Sequence, residues 1–383
     1  MPVTLYREGF DDTIPPDRPR RRSVTIGWAF VAVGAVLVVV LGLFPAPYVI
    51  ETPGPVFNTL GTDTPVPGSS RAGVSGAEKS QRLITITGQK TYPTSGGLYM
   101  LTVSSYGDPQ NLPSWMQVVS AWFSPSKAVI PVDVAFPSST TVKEQNAENT
   151  ALMLNSQKDA VAAALNHLGI VFPQAVAVKQ VLPSTPAAGR LKVGDEIVSV
   201  NGTKVPGITS LQKAIAKNGT KRTAEVGIIR AGKSKTVELK PESSGGAVVI
   251  GVGVGMDYSF PFDVKIRLNQ VGGPSAGMMF ALGIIDKLTP GELNGGERVA
   301  GTGTIDNEGD VGPIGGIRQK MYAARSAGAR DFLAPASNCS DVVGHVPHGL
   351  HVFAVHSLDD ALAVLKAVRT GASTAKLPVC HAD

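Results

Sequence analysis

The sequence predicts an α/β (α+β) protein with a small β-rich module and one N-terminal membrane-spanning helix. Three observations carry this. Val24 to Phe44 contains no charge. From about Val176 to Pro241, short apolar runs follow one another at hairpin spacing. From Ala247 to Val368, strand-like and helix-like patterns alternate. The chain of 383 residues has room for two or three domains, and at 43% hydrophobic and 17% charged it can bury a sizeable core. The net charge of +5 is not gathered into aromatic-laced basic patches, so there is no nucleic-acid footprint. The expected organisation is a tail over 1–23, a span over 24–44 and membrane-proximal strands and helices over 45–168. A β module over 169–242, an α/β domain over 246–370 and a tail over 371–383 complete it.

Met1 to Arg22 holds Pro15, Pro16 and Pro19 among mixed charges and reads as a disordered tail. The apolar run after it is 21 residues long, which at about 1.5 Å per residue matches a hydrocarbon core of about 30 Å. Arg18, Arg20, Arg21 and Arg22 precede it, so the tail should stay in the cytoplasm and the rest should lie outside. A cleaved signal peptide would need a shorter run and a small-x-small site. Phe44-Pro45-Ala46-Pro47 is a poor one, so a retained, single-pass anchor is expected. An oxidising compartment would permit a bridge between the two cysteines, Cys339 and Cys380; two free thiols are the equal alternative.

Beyond a short strand at Tyr48-Val49-Ile50, Gly61 to Ser80 reads as a loop. Leu83 to Thr87 alternates as a half-buried strand should, and Gly97 to Val103 reads as its partner. Helices are expected at Trp115–Phe123 and Asp159–Leu168, the second starting near Ser156. In the β module, Thr209 and Gln212 suggest a capping box for a helix that buries Leu211 and Ile215. Gly227 to Ser234 matches a phosphate-binding G-x-x-x-x-G-K-S pattern. Lys235 to Leu239, directly after it, alternates like a strand instead of opening a helix. The match therefore lies across a hairpin, and no ATP site is expected.

The candidate chemistry sits in two segments. Gly272-Gly273-Pro274-Ser275-Ala276-Gly277 is a flexible loop running into an apolar helix. Ile317 opens a second helix, on which Ile317, Lys320, Met321, Ala324 and Ala327 share one stripe. Lys320 therefore projects from the face that should be buried, where an ammonium would be costly and a neutral amine hydrogen-bonded to a serine would not. A serine hydroxyl needs such a base. With Pro274 in the first helical turn, unpaired amides there could hold an oxyanion. The residues that would meet the oxyanion or the substrate backbone are Gly273, Pro274 and Ala276. The plainer alternatives are a helix-capping Ser275 and a boundary Lys320 whose ammonium reaches water. His345, His348, His351 and His356 cluster later in the chain, two of them in a Gly/Pro loop. They read as surface histidines, with no metal expected and a Ser–His–Asp triad only a minor rival.

Two resemblances sharpen this. Ser184-Thr185-Pro186-Ala187-Ala188-Gly189, with Leu191 to Gly202, resembles the bacterial PDZ signature. The PDZ fold is a small β-barrel-like sandwich with helices. The resemblance implies capture of a peptide C-terminus or extended segment by strand addition. The carboxylate-binding loop would fall at Leu168, Gly169 and Ile170; a PDZ unit that only spaces domains is the alternative. Gly273 to Gly277, Thr302-Gly303 with Ile305, Val311 to Ile317 and Lys320 resemble the proteolytic domain of the Lon proteases. This implies a Ser–Lys dyad of Ser275 and Lys320, which lie 45 residues apart, with Thr302 orienting the lysine and no cofactor. The position of Thr304 is usually acidic in the ATP-driven members. Lacking an ATPase module, the chain resembles the membrane-anchored, PDZ-containing Lon-like proteases. The resemblance implies polypeptide substrates, a PDZ unit inserted within the protease domain, and a six-membered ring. A PDZ adaptor with a silent Lon-like domain is the competing function.

Overall fold

The computed structural model describes residues 21–70, 80–137, 141–268 and 271–381. Most of the expected cytoplasmic tail, part of the loop after Gly61 and the last two residues of the chain therefore lie outside the described residues.

Helix α1 (Arg21–Leu43) is followed by β1 (Tyr48–Asn58), β2 (Ile84–Thr87) and β3 (Gly97–Tyr106). Next come α2 (Trp115–Trp122), β4 (Ala128–Pro131), α3 (Val132–Ala135) and the long α4 (Val142–His167). The β-rich part holds β5 (Gln174–Val181), β6 (Glu196–Val200), β7 (Thr203–Lys204), α5 (Ile208–Asn218), β8 (Ala224–Arg230) and β9 (Lys233–Leu239). It continues through β10 (Glu242–Ser244), β11 (Ala247–Val249) and β12 (Val252–Tyr258) to β13 (Asp263–Ile266). The remainder comprises α6 (Gly277–Leu288), β14 (Arg298–Gly301), β15 (Thr304–Ile305), β16 (Val311–Gly312), α7 (Ile317–Ser326) and β17 (Asp331–Pro335). A 3₁₀ turn (Ala336–Asn338), α8 (Cys339–Val342), β18 (His351–Val355) and α9 (Leu358–Thr370) close the chain.

One mixed sheet, ordered β18-β17-β14-β3-β1-β4, organises the larger part of the molecule. β14 runs parallel to β3 and to β17, and β1 runs antiparallel to β3. The strands before the β module and those after it thus share one sheet. Alternating side chains feed two cores, as the period of two in a strand requires. Leu98, Met100, Leu333 and Phe353 face a core with α4, α6 and α9. Tyr99, Leu101, Phe332 and Val352 face the α7 residues Ile317, Met321 and Ala324. Sheet-flanking helices on both faces are the stable solution for strands apolar on both sides.

The second sheet, β12-β5-β6-β8-β9 with β7 on β6, wraps its own core of Val178, Ile197, Leu211, Ile215, Val226 and Ile228. Asp195, 1% exposed, is neutralised inside it by Arg230 at 2.6 Å. β8 and β9 meet across Ala231 and Gly232, both at positive φ, so Gly227 to Ser234 forms a hairpin.

Three expectations are corrected. β2 pairs with β13, not with β3, whose two edges are taken by β1 and β14. Helix α4 starts at Val142 rather than near Ser156, because Thr141 and Glu144 form a reciprocal capping box. The Thr209–Gln212 box does not form. Gly207 is the N-cap of α5, and the Thr209 hydroxyl donates to Asp306 on a loop of the larger part. That loop also receives the Ser210 amide on Glu308 at 3.0 Å and the Lys213 ammonium on Asp310 at 3.0 Å.

Candidate active site

Helix α6 is buried on every side from Gly277 to Lys287, as an apolar helix without a polar face must be. Its first residue is glycine because the wall is close: a Cβ there would lie 2.8 Å from Ser156 Oγ. The loop before it is held by α4. Gly273 N–H donates to Asn149 O at 2.9 Å, and Ser156 Oγ donates to Pro274 O at 2.8 Å. The Ser275 carbonyl receives Gly303 N–H at 2.9 Å and Thr302 Oγ1 at 2.9 Å. Both ends of the serine's backbone are thereby fixed.

The expected roles of this loop change in detail. The N-cap of α6 is Ala276, with no side-chain cap, so Ser275 does not cap the helix and Pro274 precedes its first turn. Pro274 has no N–H, and the Gly273 amide is already committed to Asn149. The Ser275 and Ala276 amides of the loop have no acceptor among the described residues.

Lys320 lies on α7, whose N-cap Gly316 sits in the left-handed region at φ 67°. A Cβ at Gly316 would come within 2.6 Å of Val103 Cγ2, so glycine is required twice over. Lys320 is 3% exposed. Burial lowers its pKa to about 7, opposed by the nearby charge of Glu51. Burial likewise raises Glu51, on β1, against the pull of Lys320. The ammonium nitrogen donates to Thr302 Oγ1 at 3.2 Å. The lysine's hydrogen bond thus runs to Thr302 and not to the serine hydroxyl, linking the two residues through Thr302 and the Ser275 carbonyl.

Ser275, Lys320, Glu51, Thr102, Asn149 and Gly273 are among the residues lining one cleft of about 600 Å³. None of the four clustered histidines lines it; His351 contacts Asp331 at 3.2 Å, and His345 Nδ1 is 3.0 Å from Val343 O. Glu51 was not singled out in the sequence. Its signal was a carboxylate directly after the strand-like Tyr48-Val49-Ile50 run. Leu168, Gly169 and Ile170 form the C-terminal cap of α4. Leu168 and Ile170 pack on the larger core rather than on the β module's. The module's sheet has β12, antiparallel to β5, at one edge and β9 at the other. Cys339 and Cys380 are disulfide-bonded.

A serine and a desolvated lysine line one cleft. Comparison with known proteins gives the class. Residues 269–368 match the Lon protease (S16) C-terminal proteolytic domain, and residues 144–240 match the PDZ domain. The chain carries a PDZ domain and a Lon-type proteolytic domain. It is 33% identical over 157 residues to an archaeal Lon protease of Methanothermobacter thermautotrophicus, covering 39% of this chain and 24% of that one. It is 37% identical over 94 residues to Lon protease 1 of Sorangium cellulosum, covering 24% and 11%. The matches span less than a quarter of either relative. Among solved structures, the PDZ domain of an SdrC-like protein from Listeria monocytogenes is similar at 22% identity and a TM-score of 0.21, covering 22% of this chain and 90% of that one. Helix α1 is long and apolar enough to cross a membrane, by length and composition.

Proposed function

We propose that the protein is a membrane-anchored serine endopeptidase that works without ATP on unfolded or extended polypeptides. The observation that carries this is Lys320, buried in the cleft that Ser275 lines, with its pKa brought down to about 7. About half of such a lysine is a free amine at neutral pH, against well under a thousandth of an ordinary one.

In this reading Lys320 Nζ accepts the Ser275 proton as Oγ attacks the scissile carbonyl, and the ammonium so formed is steadied by Glu51 and Thr302. The tetrahedral oxyanion meets the Ser275 and Ala276 amides. The ammonium then returns its proton to the leaving amine, and the acyl-enzyme is released by a water that Lys320 deprotonates in turn. An extended substrate backbone would lie against Gly272 and Gly273.

The protease unit is proposed to comprise 45–168 and 246–370, with 169–242 inserted. The shared β3–β14 pairing supports this. The PDZ domain would take an extended segment along the outer edge of β12, which pairs with no strand on that side among the described residues. The tail would be cytoplasmic and the catalytic part extracytoplasmic, in keeping with the disulfide. The test is mass-spectrometric detection of cleavage of unfolded polypeptides by the full chain and by Ser275→Ala. Turnover is expected only from the parent; cleavage by purified Ser275→Ala would remove the dyad. Peptide binding without turnover in the parent would favour the adaptor.

A further inference from the structure

Helix α2 is apolar on two sides. Trp115, Val118 and Ala121 face inward, and Val118 and Ala121 are buried. Met116, Val119 and Phe123 recur at i, i+3 and i+7 on the other side, with Phe123 85% exposed and Trp122, beside them, 58% exposed. No charge occurs from Asn111 to Ser126. Such a surface normally meets a partner.

What meets it is indicated by where α2 is stitched. The Trp115 amide donates to Phe44 O at 3.3 Å, and the Ala46 amide donates to Pro113 O at 2.7 Å. Helices α1 and α2 are in direct contact. Val132 N–H donates to Pro47 O at 3.0 Å, which ties the start of α3 to the same stretch of chain. Tyr48 sits between Trp115 and Trp122, its ring 5.8 Å and 6.3 Å from theirs. If α1 spans a bilayer, its last turn ends at the lipid surface, and α2 is hydrogen-bonded to the residues that leave that turn.

We propose that α2 is a second membrane contact, with Met116, Val119, Trp122 and Phe123 seated in the headgroup–acyl boundary of the bilayer that α1 crosses. The proposal rests on the reading of α1 as a span. Tryptophan and tyrosine favour that boundary because each has an apolar body and a polar tip. A helix lying in it needs an apolar face and no buried charge. The protease is then held at two points, so that β1 and β3, which carry Glu51 and Thr102 into the cleft, leave the membrane at a fixed attitude.

The chain has three tryptophans, Trp28, Trp115 and Trp122. The full chain is placed in phosphatidylcholine/phosphatidylglycerol vesicles as two variants, Trp28→Phe/Trp115→Phe and Trp115→Phe/Trp122→Phe. Lipids brominated near the headgroup or near the chain end serve as quenchers. Trp122 is expected to lose emission to the shallow quencher more than to the deep one, and Trp28 to lose emission to lipid as well. Quenching of Trp28 without Trp122 would overturn the α2 contact and leave the span standing. Quenching of neither would remove both. Trp122 shielded from lipid bromine and from aqueous acrylamide alike would assign the stripe to a second copy, and also overturns the proposal. As an independent readout, a nitroxide on Phe123→Cys should collide with dissolved oxygen in preference to a water-soluble nickel chelate. The reverse order counts against the proposal.

Discussion

Replacing Lys320 by methionine should stabilise the protein at neutral pH while removing its turnover. The side chains are close in length, and methionine carries no charge to bury. In the native state Lys320 has a pKa of about 7 against an ordinary value of 10.5. Between those limits the unfolded chain binds a proton that the folded chain has released. Stability therefore rises with pH across the window, by about 1.4 kcal/mol per unit and about 5 kcal/mol in all. Below pH 7 both states are protonated and the penalty of the buried ammonium is full and constant. Above 10.5 it is gone. Lys320→Met lacks the group, so its advantage should be greatest at pH 7 and below and should fade toward pH 10. For a unit of this size, about 5 kcal/mol corresponds to a difference in Tm of about 10–20 °C. Thermal unfolding of both proteins, followed by tryptophan emission from pH 6 to 10, measures it. Parallel curves for the two proteins would mean that Lys320 keeps its water in the native state, and the general-base reading would fall.

Turnover itself should rise with pH through about 7 and then level off, as the lysine loses its proton. Because the charge of Glu51 holds that pKa up, Glu51→Gln should move the acid limb of the kcat/KM profile to lower pH; an unmoved limb would separate the two groups. Thr302→Val removes the hydroxyl that receives Lys320 Nζ and fixes the Ser275 carbonyl. It should lower kcat by about 10- to 100-fold with KM little changed, and a KM effect alone would make Thr302 a substrate contact. Gly316→Ala combines left-handed strain with a clash on Val103. A loss of about 2–4 kcal/mol is expected in denaturant titration, and an unchanged midpoint would show that α7 has room to shift.

Much of this was legible in the chain because it is written in local periodicity. The uncharged run gave α1, the stripe around Lys320 gave its burial, and the hairpin across Ala231 and Gly232 unmasked the false phosphate loop. Pairing was less legible. Alternation marks Leu83 to Thr87 as a strand, yet says nothing of a partner as distant as β13. The first half of α4 lacks an apolar stripe, so only the Thr141–Glu144 box announced it. Thr209 carried a capping pattern that lost to a stronger acceptor, the Asp306 carboxylate brought in from another element. Glu51 shows the same limit: its role depends on a lysine 269 positions away that the fold puts beside it.

The end of the chain has a consequence for assembly. After α9 it turns back, and the Ala354 amide donates to Pro378 O at 2.9 Å while Phe353 bridges Val379. The Cys339–Cys380 bond buckles this strap over the outer strand β18. At the opposite border, β4 ends in Pro131, which offers no amide. Covered by the strap on one margin and interrupted by a proline on the other, the sheet offers a further strand fewer free amides than its six strands would suggest.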